Sequence, residues 1–332
     1  MKKLFKALLA FSLTSSLLTG CTSKRVKIAY TIYPVGYLVY RVAGNDVQYQ
    51  SIQKDNSTVQ ASTIAEDYQD ILDTSKVLFH IGDLEPYYAV HQANIKDNGI
   101  TDIDLSSNNA VYPFARFSRK ENDEGITYEQ SAYYDGDVFS SIDTYDKELC
   151  LWMDPITMLS MAGDIKDYLV KTDSGNSKKY EDNFQLLESD LINIDAQYHN
   201  LATDLEKNNE VIRFVSVTSS FGSWQKAYGF EIYPLILSKY GVLPNEQQIQ
   251  AMEERIINDN VHYIAYESNM NEDMIDLYNR VKEDCNLTRI DLSNLSSLSD
   301  DESNAGKDYI SIFYQNLQNL QTIIEERNVE GQ

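Results

Sequence analysis

Residues 176–207 read NSKKYEDNFQLLESDLINIDAQYHNLATDLEK, and they constrain the fold more than any other part of this 332-residue chain. Phe184, Leu187, Leu191, Ile194, Tyr198, Leu201 and Leu205 recur every three or four residues, the spacing of one helix face. A helix of that length spans roughly 48 Å. That exceeds a single lobe. A coiled-coil pair needs a sustained heptad seam, and this run drifts. The sequence therefore predicts a rod joining two lobes.

Strand and helix patterns alternate on both sides of the rod. Before it, VKIAYTI, VQYQSIQ, KVLFHIG and ITDIDLS read as strands. Pro34 breaks the first, a helical run over 35–42 follows, and Gly44 stands where a C-terminal cap would. IAEDYQDILDTS reads as an amphipathic helix with Ile64, Tyr68, Ile71 and Leu72 on one face. After the rod, EVIRFVSV, EIYPLI, VHYIAYES and LTRIDLS are strands separated by helical segments, and residues 306–327 form a closing helix. Such alternation argues for an α/β fold: two lobes, each a mostly parallel sheet with flanking helices, joined by one long rigid helix. The expected boundaries are 26–175 for the first lobe, 176–207 for the linking helix and 208–332 for the second lobe. Residues 108–146 break the pattern. They are polar, acidic and rich in tyrosine, and they read as a long structureless insertion.

The N-terminus has three lysines, a short apolar core and Leu18-Thr19-Gly20-Cys21. This reads as a secretory signal, residues 1–20, ending in a lipobox with Cys21 as the lipidated first residue of the mature chain. Residues 21–25 would be a tether. The apolar run is too short and too polar for a membrane anchor, so an extracytoplasmic, lipid-anchored domain on the outer face of the cell membrane is expected. The chain carries 28 Lys and Arg against 51 Asp and Glu, a net charge of −23. Loss of Lys2, Lys3 and Lys6 with the signal moves this to −26. Such a surface disfavours nucleic acid and weakly attracts cations. Of the two cysteines left, Cys150 and Cys285, spacing alone does not decide pairing. There is no Gly-x-Ser-x-Gly elbow, phosphate loop or His-Glu-x-x-His, so the chain does not read as an enzyme.

Six segments in order, IYPVGYLVYRVAG, VLFHIGDLEPYY, LWMDPITML, FVSVTSSFGSWQKAYGF, YIAYESN and AGKDYISIFYQNL, surround the long helix. Together they resemble the metal-specific solute-binding lipoproteins of bacterial ABC transporters, which carry zinc or manganese. The resemblance covers nearly the whole mature chain. It implies a divalent cation or other small solute held between the lobes, delivery to a permease and ATPase, and a monomer tethered through Cys21. Family members hold the metal with four side chains, usually histidines and a carboxylate. The matching positions are Gln60, Cys150, Thr218 and Ser293, so ligand types are mostly lost while the scaffold remains. Thr and Ser hydroxyls and a Gln amide are weak neutral donors, and a cysteine ligates as thiolate. Glu267 and Asp291 are nearby carboxylates that could assist Cys150. His80, His91, His199 and His262 fall away from the expected cleft and read as structural. Three readings stay open: a metal carrier built on Cys150 with those carboxylates; a cleft recast for a non-metal ligand by Thr218, Ser219, Ser220, Ser293 and Asn294 with Trp152 and Trp224 as walls; or a surface or adhesion lipoprotein on the same scaffold.

Overall fold

A computed structural model describes residues 27–54, 56–122 and 125–330. The signal run 1–20, Cys21 and the tether 21–25 lie outside the described residues. None of the described helices is long and apolar enough to cross a membrane.

The chain begins with β1 (Lys27–Tyr30) and α1 (Tyr33–Ala43). Pro34 stands in the first turn of α1, where its missing N–H is no loss, and Gly44 ends the helix at φ +60°. Next come β2 (Gln48–Ser51), α2 (Tyr68–Thr74), β3 (Val77–His80), α3 (Pro86–Asp97) and β4 (Thr101–Asp104). The strands form one all-parallel sheet in the order β2-β1-β3-β4. Helix α2 is shorter than its apolar pattern suggests, because Ile64 pairs with Gln53 in an isolated antiparallel bridge.

Residues 108–146 are not structureless. They hold a hairpin of β5 (Arg116–Asn122) and β6 (Gly125–Ser131), paired antiparallel. The strand pattern was hidden because few of these side chains are apolar. Its ordering comes from docking on the second lobe. The apolar run from Cys150 leads into a 3-10 turn, Leu151–Met153. Side chains satisfy its backbone in place of a ladder. Glu148 accepts from Cys150 N at 2.9 Å, Tyr309 donates to Trp152 O at 2.5 Å and Trp224 donates to Met153 O at 2.8 Å. Asp154 then caps α4 (Pro155–Thr172) by accepting from Ile156 N.

The predicted rod is α5 (Ser177–Lys207), a 31-residue helix. After it follow β7 (Arg213–Ser216), α6 (Ser223–Tyr228), β8 (Glu231–Pro234), α7 (Glu246–Asn258), β9 (Tyr263–Tyr266), α8 (Glu272–Asp284), β10 (Thr288–Asp291), α9 (Asp300–Asn304) and α10 (Tyr309–Glu330). The second sheet is parallel in the order β10-β9-β7-β8.

Alternation along the strands sorts the core into layers. Ile28 and Phe79 of the first sheet, with Phe214, Ile232 and Ala265 of the second, join one cluster. The buried face of α5, from Tyr180 and Leu187 to Leu205, runs through that cluster with Tyr309 and Phe313 of α10. The opposite faces pack separately. Ala29 and Leu78 meet Ile71, Leu72 and Ile95. Val215, Tyr233 and Ile264 meet Ile249, Met252 and Val281. One apolar core thus continues through both lobes along the long helix.

Candidate inter-lobe site

In parallel α/β sheets the loops at strand C-termini are free to form a site. Here the loop after β2 carries Gln60, in a 3-10 turn over Val59–Ala61. The loop after β7 carries Thr218, Ser219 and Ser220. Glu267 follows β9, and Asn294 follows β10. Cys150 arrives from the turn before α4. All seven side chains are buried, none more than 4% exposed.

Glu267 organises the second-lobe side. Its Oε1 accepts from Val217 N and Thr218 N, both at 3.0 Å. Its Oε2 accepts from Thr218 Oγ1 at 2.6 Å and Asn294 Nδ2 at 2.7 Å. Burial raises its pKa, and the Thr218, Asn294 and Val217 donors oppose the rise. With four donors its lone pairs are taken. Ser220 Oγ lies 2.9 Å from Thr218 Oγ1, whose single proton goes to Glu267. Across the junction Gln60 Nε2 donates to Ser219 Oγ at 3.2 Å, while Gln60 Oε1 is buried without a partner.

The Cys150 thiol is held well above its ordinary pKa, first by burial and then by the nearby Glu148 carboxylate; the Ser220 hydroxyl opposes this. A protonated thiol is a poor metal ligand. Glu148 is itself pushed up to about 7 by burial, against the pull of the Cys150 N–H and thiol. Sequence reasoning passed over Glu148. Its signal was a charged residue two places before Cys150 in an apolar run.

The structure gathers Gln60, Cys150, Thr218 and Glu267 with Asn294. It does not bring Ser293 or Asp291 to them. Ser293 Oγ accepts from its own loop at Leu295 N, 3.2 Å, and its backbone is held by Asn316 of α10. Asp291 is exposed and pairs with Arg289 at 2.6 Å. Both line a separate cavity of about 250 Å³ beside α10. The one-residue offset from Ser293 to Asn294 decides which side chain faces the cleft. Cys150 and Cys285 are both free. His80 is a structural residue: it bonds Gly82 O at 2.8 Å and Asp102 at 3.2 Å, and stacks on Tyr88. Among the described residues, no group of three or more His, Cys, Asp or Glu is arranged to hold a metal ion.

Two parallel sheets, a spanning helix and a candidate site between their strand ends define a two-lobe α/β protein. The chain belongs to the family of the zinc-uptake complex component A, periplasmic (ZnuA), whose sequence model matches residues 28–323. This is a solute-binding transport family and not an enzyme family. The zinc-binding protein AdcA of Streptococcus pyogenes serotype M6 is 20% identical over 299 residues, covering 89% of this chain and 55% of the relative. This chain thus spans about half the length of the curated relatives it matches. Among solved structures, the periplasmic zinc-binding protein TroA from Treponema pallidum aligns with a TM-score of 0.69 at 15% identity, over 89% of this chain and 98% of that one. The laminin-binding protein Lmb of Streptococcus agalactiae, described as bifunctional with adhesin and metal transporting activity, aligns with a TM-score of 0.67 at 13% identity, over 90% and 98%. Such likeness speaks for the two-lobe fold.

Proposed function

We propose that this chain is the extracytoplasmic solute-binding lipoprotein of an ABC uptake system of the zinc/manganese type. A lipid on Cys21 would hold it, as a monomer, to the outer face of the membrane. It would capture cargo at the inter-lobe site and pass it to a permease driven by an ATPase. The family match over nearly the whole mature chain supports this reading. The long helix and the core shared by both lobes favour a small rocking motion over a wide hinge.

The donor set argues against the family's usual cargo. A tetrahedral zinc site takes four nitrogen, sulfur or carboxylate donors at about 2.0–2.3 Å. Gln60, Thr218 and Asn294 are neutral, Cys150 is held protonated, and Glu267 is already saturated by four hydrogen bonds. The cargo that fits is a small polar solute bound by hydrogen bonds to hydroxyls and amides. The single observation that carries this is the saturated Glu267. A second reading, a surface lipoprotein that no longer carries cargo, draws support from the burial of every side chain at the site.

The test is metal analysis of the purified mature chain, with thermal shift against zinc, manganese and a panel of polar solutes. A raised melting temperature with an organic solute and no bound metal supports the proposal. Stoichiometric zinc that disappears in Cys150→Ser would restore a metal cargo and refute the hydrogen-bonding site. No shift with any ligand favours the surface role.

A further inference from the structure

The hairpin segment is anchored on both lobes. At its base Glu148 N donates to Tyr112 O at 2.8 Å, and Pro113 forms an isolated bridge with Lys147, so the loop is closed where it leaves the first lobe. Beyond the base it lies on the second lobe. Arg116 is buried there, 3.2 Å from Asp259, with its guanidinium 5.0 Å from the Tyr233 ring centroid and a bond to the Tyr233 hydroxyl at 3.1 Å. Phe117 N donates to Gln225 Oε1 at 3.1 Å, and Gln225 Nε2 donates to the Tyr133 hydroxyl at 3.0 Å. Tyr133 and Tyr134 are buried in the outer core of the second sheet. Lys226 of α6 has its ammonium 4.5 Å, 4.9 Å and 5.2 Å from the ring centroids of Tyr112, Phe117 and Tyr128. Tyr145 of this segment touches both lobes: its hydroxyl reaches Leu84 O at 2.6 Å and Lys239 O at 3.3 Å.

This insertion therefore starts and ends in first-lobe chain but packs as part of the second lobe. After β6 the chain returns through a 3-10 turn at Asp137–Phe139 and past Tyr145 to Glu148 and Cys150 of the inter-lobe site. The lobes cannot part there without breaking the contacts at Tyr145 or those around Arg116 and Gln225.

We propose that residues 112–122 and 125–148 are a clamp that holds the two lobes together over the inter-lobe site, and that solvent and cargo reach Cys150 only when this clamp lets go. This holds whatever the cargo is, and for the surface role as well.

The test is the rate at which a thiol reagent labels Cys150 in the native full-length chain, read on the Cys150 peptide by mass spectrometry so that other thiols do not interfere. Cys150 is 2% exposed, so its labelling reports opening. Arg116→Ala removes the buried hub. It strands no carboxylate, because Glu231 keeps Arg213 and Asp259 keeps Arg255, each at 2.6 Å. Tyr145→Phe removes only the hydroxyl bridge and leaves the ring packed. Ile95→Ala, in the outer core of the first lobe away from the clamp, lowers global stability alone. The expected result is labelling roughly tenfold faster in Arg116→Ala and roughly fivefold faster in Tyr145→Phe, with Ile95→Ala near the parental rate. If Arg116→Ala does not fold, Tyr145→Phe carries the test. Parental labelling in the folded clamp variants, or a rise no greater than in a control of equal global stability, overturns the clamp.

Discussion

Glu85 sits at the N-terminus of α3, is 0% exposed, and neither of its carboxylate oxygens has a hydrogen-bond partner. Burial pushes its pKa from 4.5 to about 7, and the nearby Thr31 hydroxyl and His80 ring offset only part of that. Asp104 and the Tyr145 phenol also face it. The folded state therefore keeps this proton at pH values where the unfolded chain has released it. Below pH 4.5 both states are protonated and Glu85 has no effect on the pH dependence. From 4.5 to about 7 the unfolded state gains from ionisation and the fold does not, so stability falls by about 1.4 kcal/mol per pH unit. Above about 7 both states are ionised and the curve levels, after a total loss of about 3 kcal/mol. Glu85→Gln keeps the shape of the neutral acid and removes the proton. Urea unfolding of parent and variant from pH 4.5 to 8.5 isolates the residue together with its coupling to His80, since Glu148 and Glu267 contribute equally to both. Equal stability near pH 4.5 and a variant about 3 kcal/mol more stable at pH 8 is the expected outcome. If the variant keeps the parent's full pH slope, the reasoning fails, and Glu85 has partners in solution that satisfy its charge.

Glu267→Ala would leave two backbone N–H groups, the Thr218 hydroxyl and the Asn294 amide unpaired in a buried site, a loss of about 3–5 kcal/mol by chemical denaturation. Glu267→Gln keeps an acceptor for the two N–H groups, and its NH2 opposes the Asn294 donor while the Thr218 hydroxyl can turn to accept from it, so about 1–3 kcal/mol is expected. At Gly222 an added methyl would collide with the Glu148 carboxylate. Gly222→Ala is therefore expected to lower stability by about 1–3 kcal/mol. The double variant Gly222→Ala/Glu148→Ala should cost less than the sum of the singles, and strict additivity in a double-mutant cycle would argue against that close approach.

The long helix and the eight parallel strands were legible because each carries its signal locally. Leu187, Leu191, Ile194 and Tyr198 fall on one stripe of α5 whatever surrounds it. The helix at 86–97 was not read, since only Tyr87, Tyr88 and Ile95 of its twelve residues are buried. The hairpin at 116–131 was missed for a related reason. Its order depends on Asp259, Tyr233 and Gln225, which lie more than a hundred positions away. At the site, segment matching pointed to Gln60, Cys150, Thr218 and Ser293, with Glu267 and Asp291 as auxiliary carboxylates, and it did not separate Ser293 from Asn294. Alternate side chains of an irregular loop have no period to count, so only the path of the chain after β10 selects the inward one.

By itself, then, the amino-acid order determined what depends on neighbours in the chain, helix faces and strand runs, and it carried the segments whose resemblance to the family implied an inter-lobe site. Tertiary structure decided what depends on distant partners. Burial holds Cys150 protonated, four donors from two loops saturate Glu267, and a polar tyrosine-rich insertion becomes an ordered bridge between lobes. Desolvation and hydrogen-bond saturation are properties of an enclosed volume, and no stretch of sequence encloses one alone.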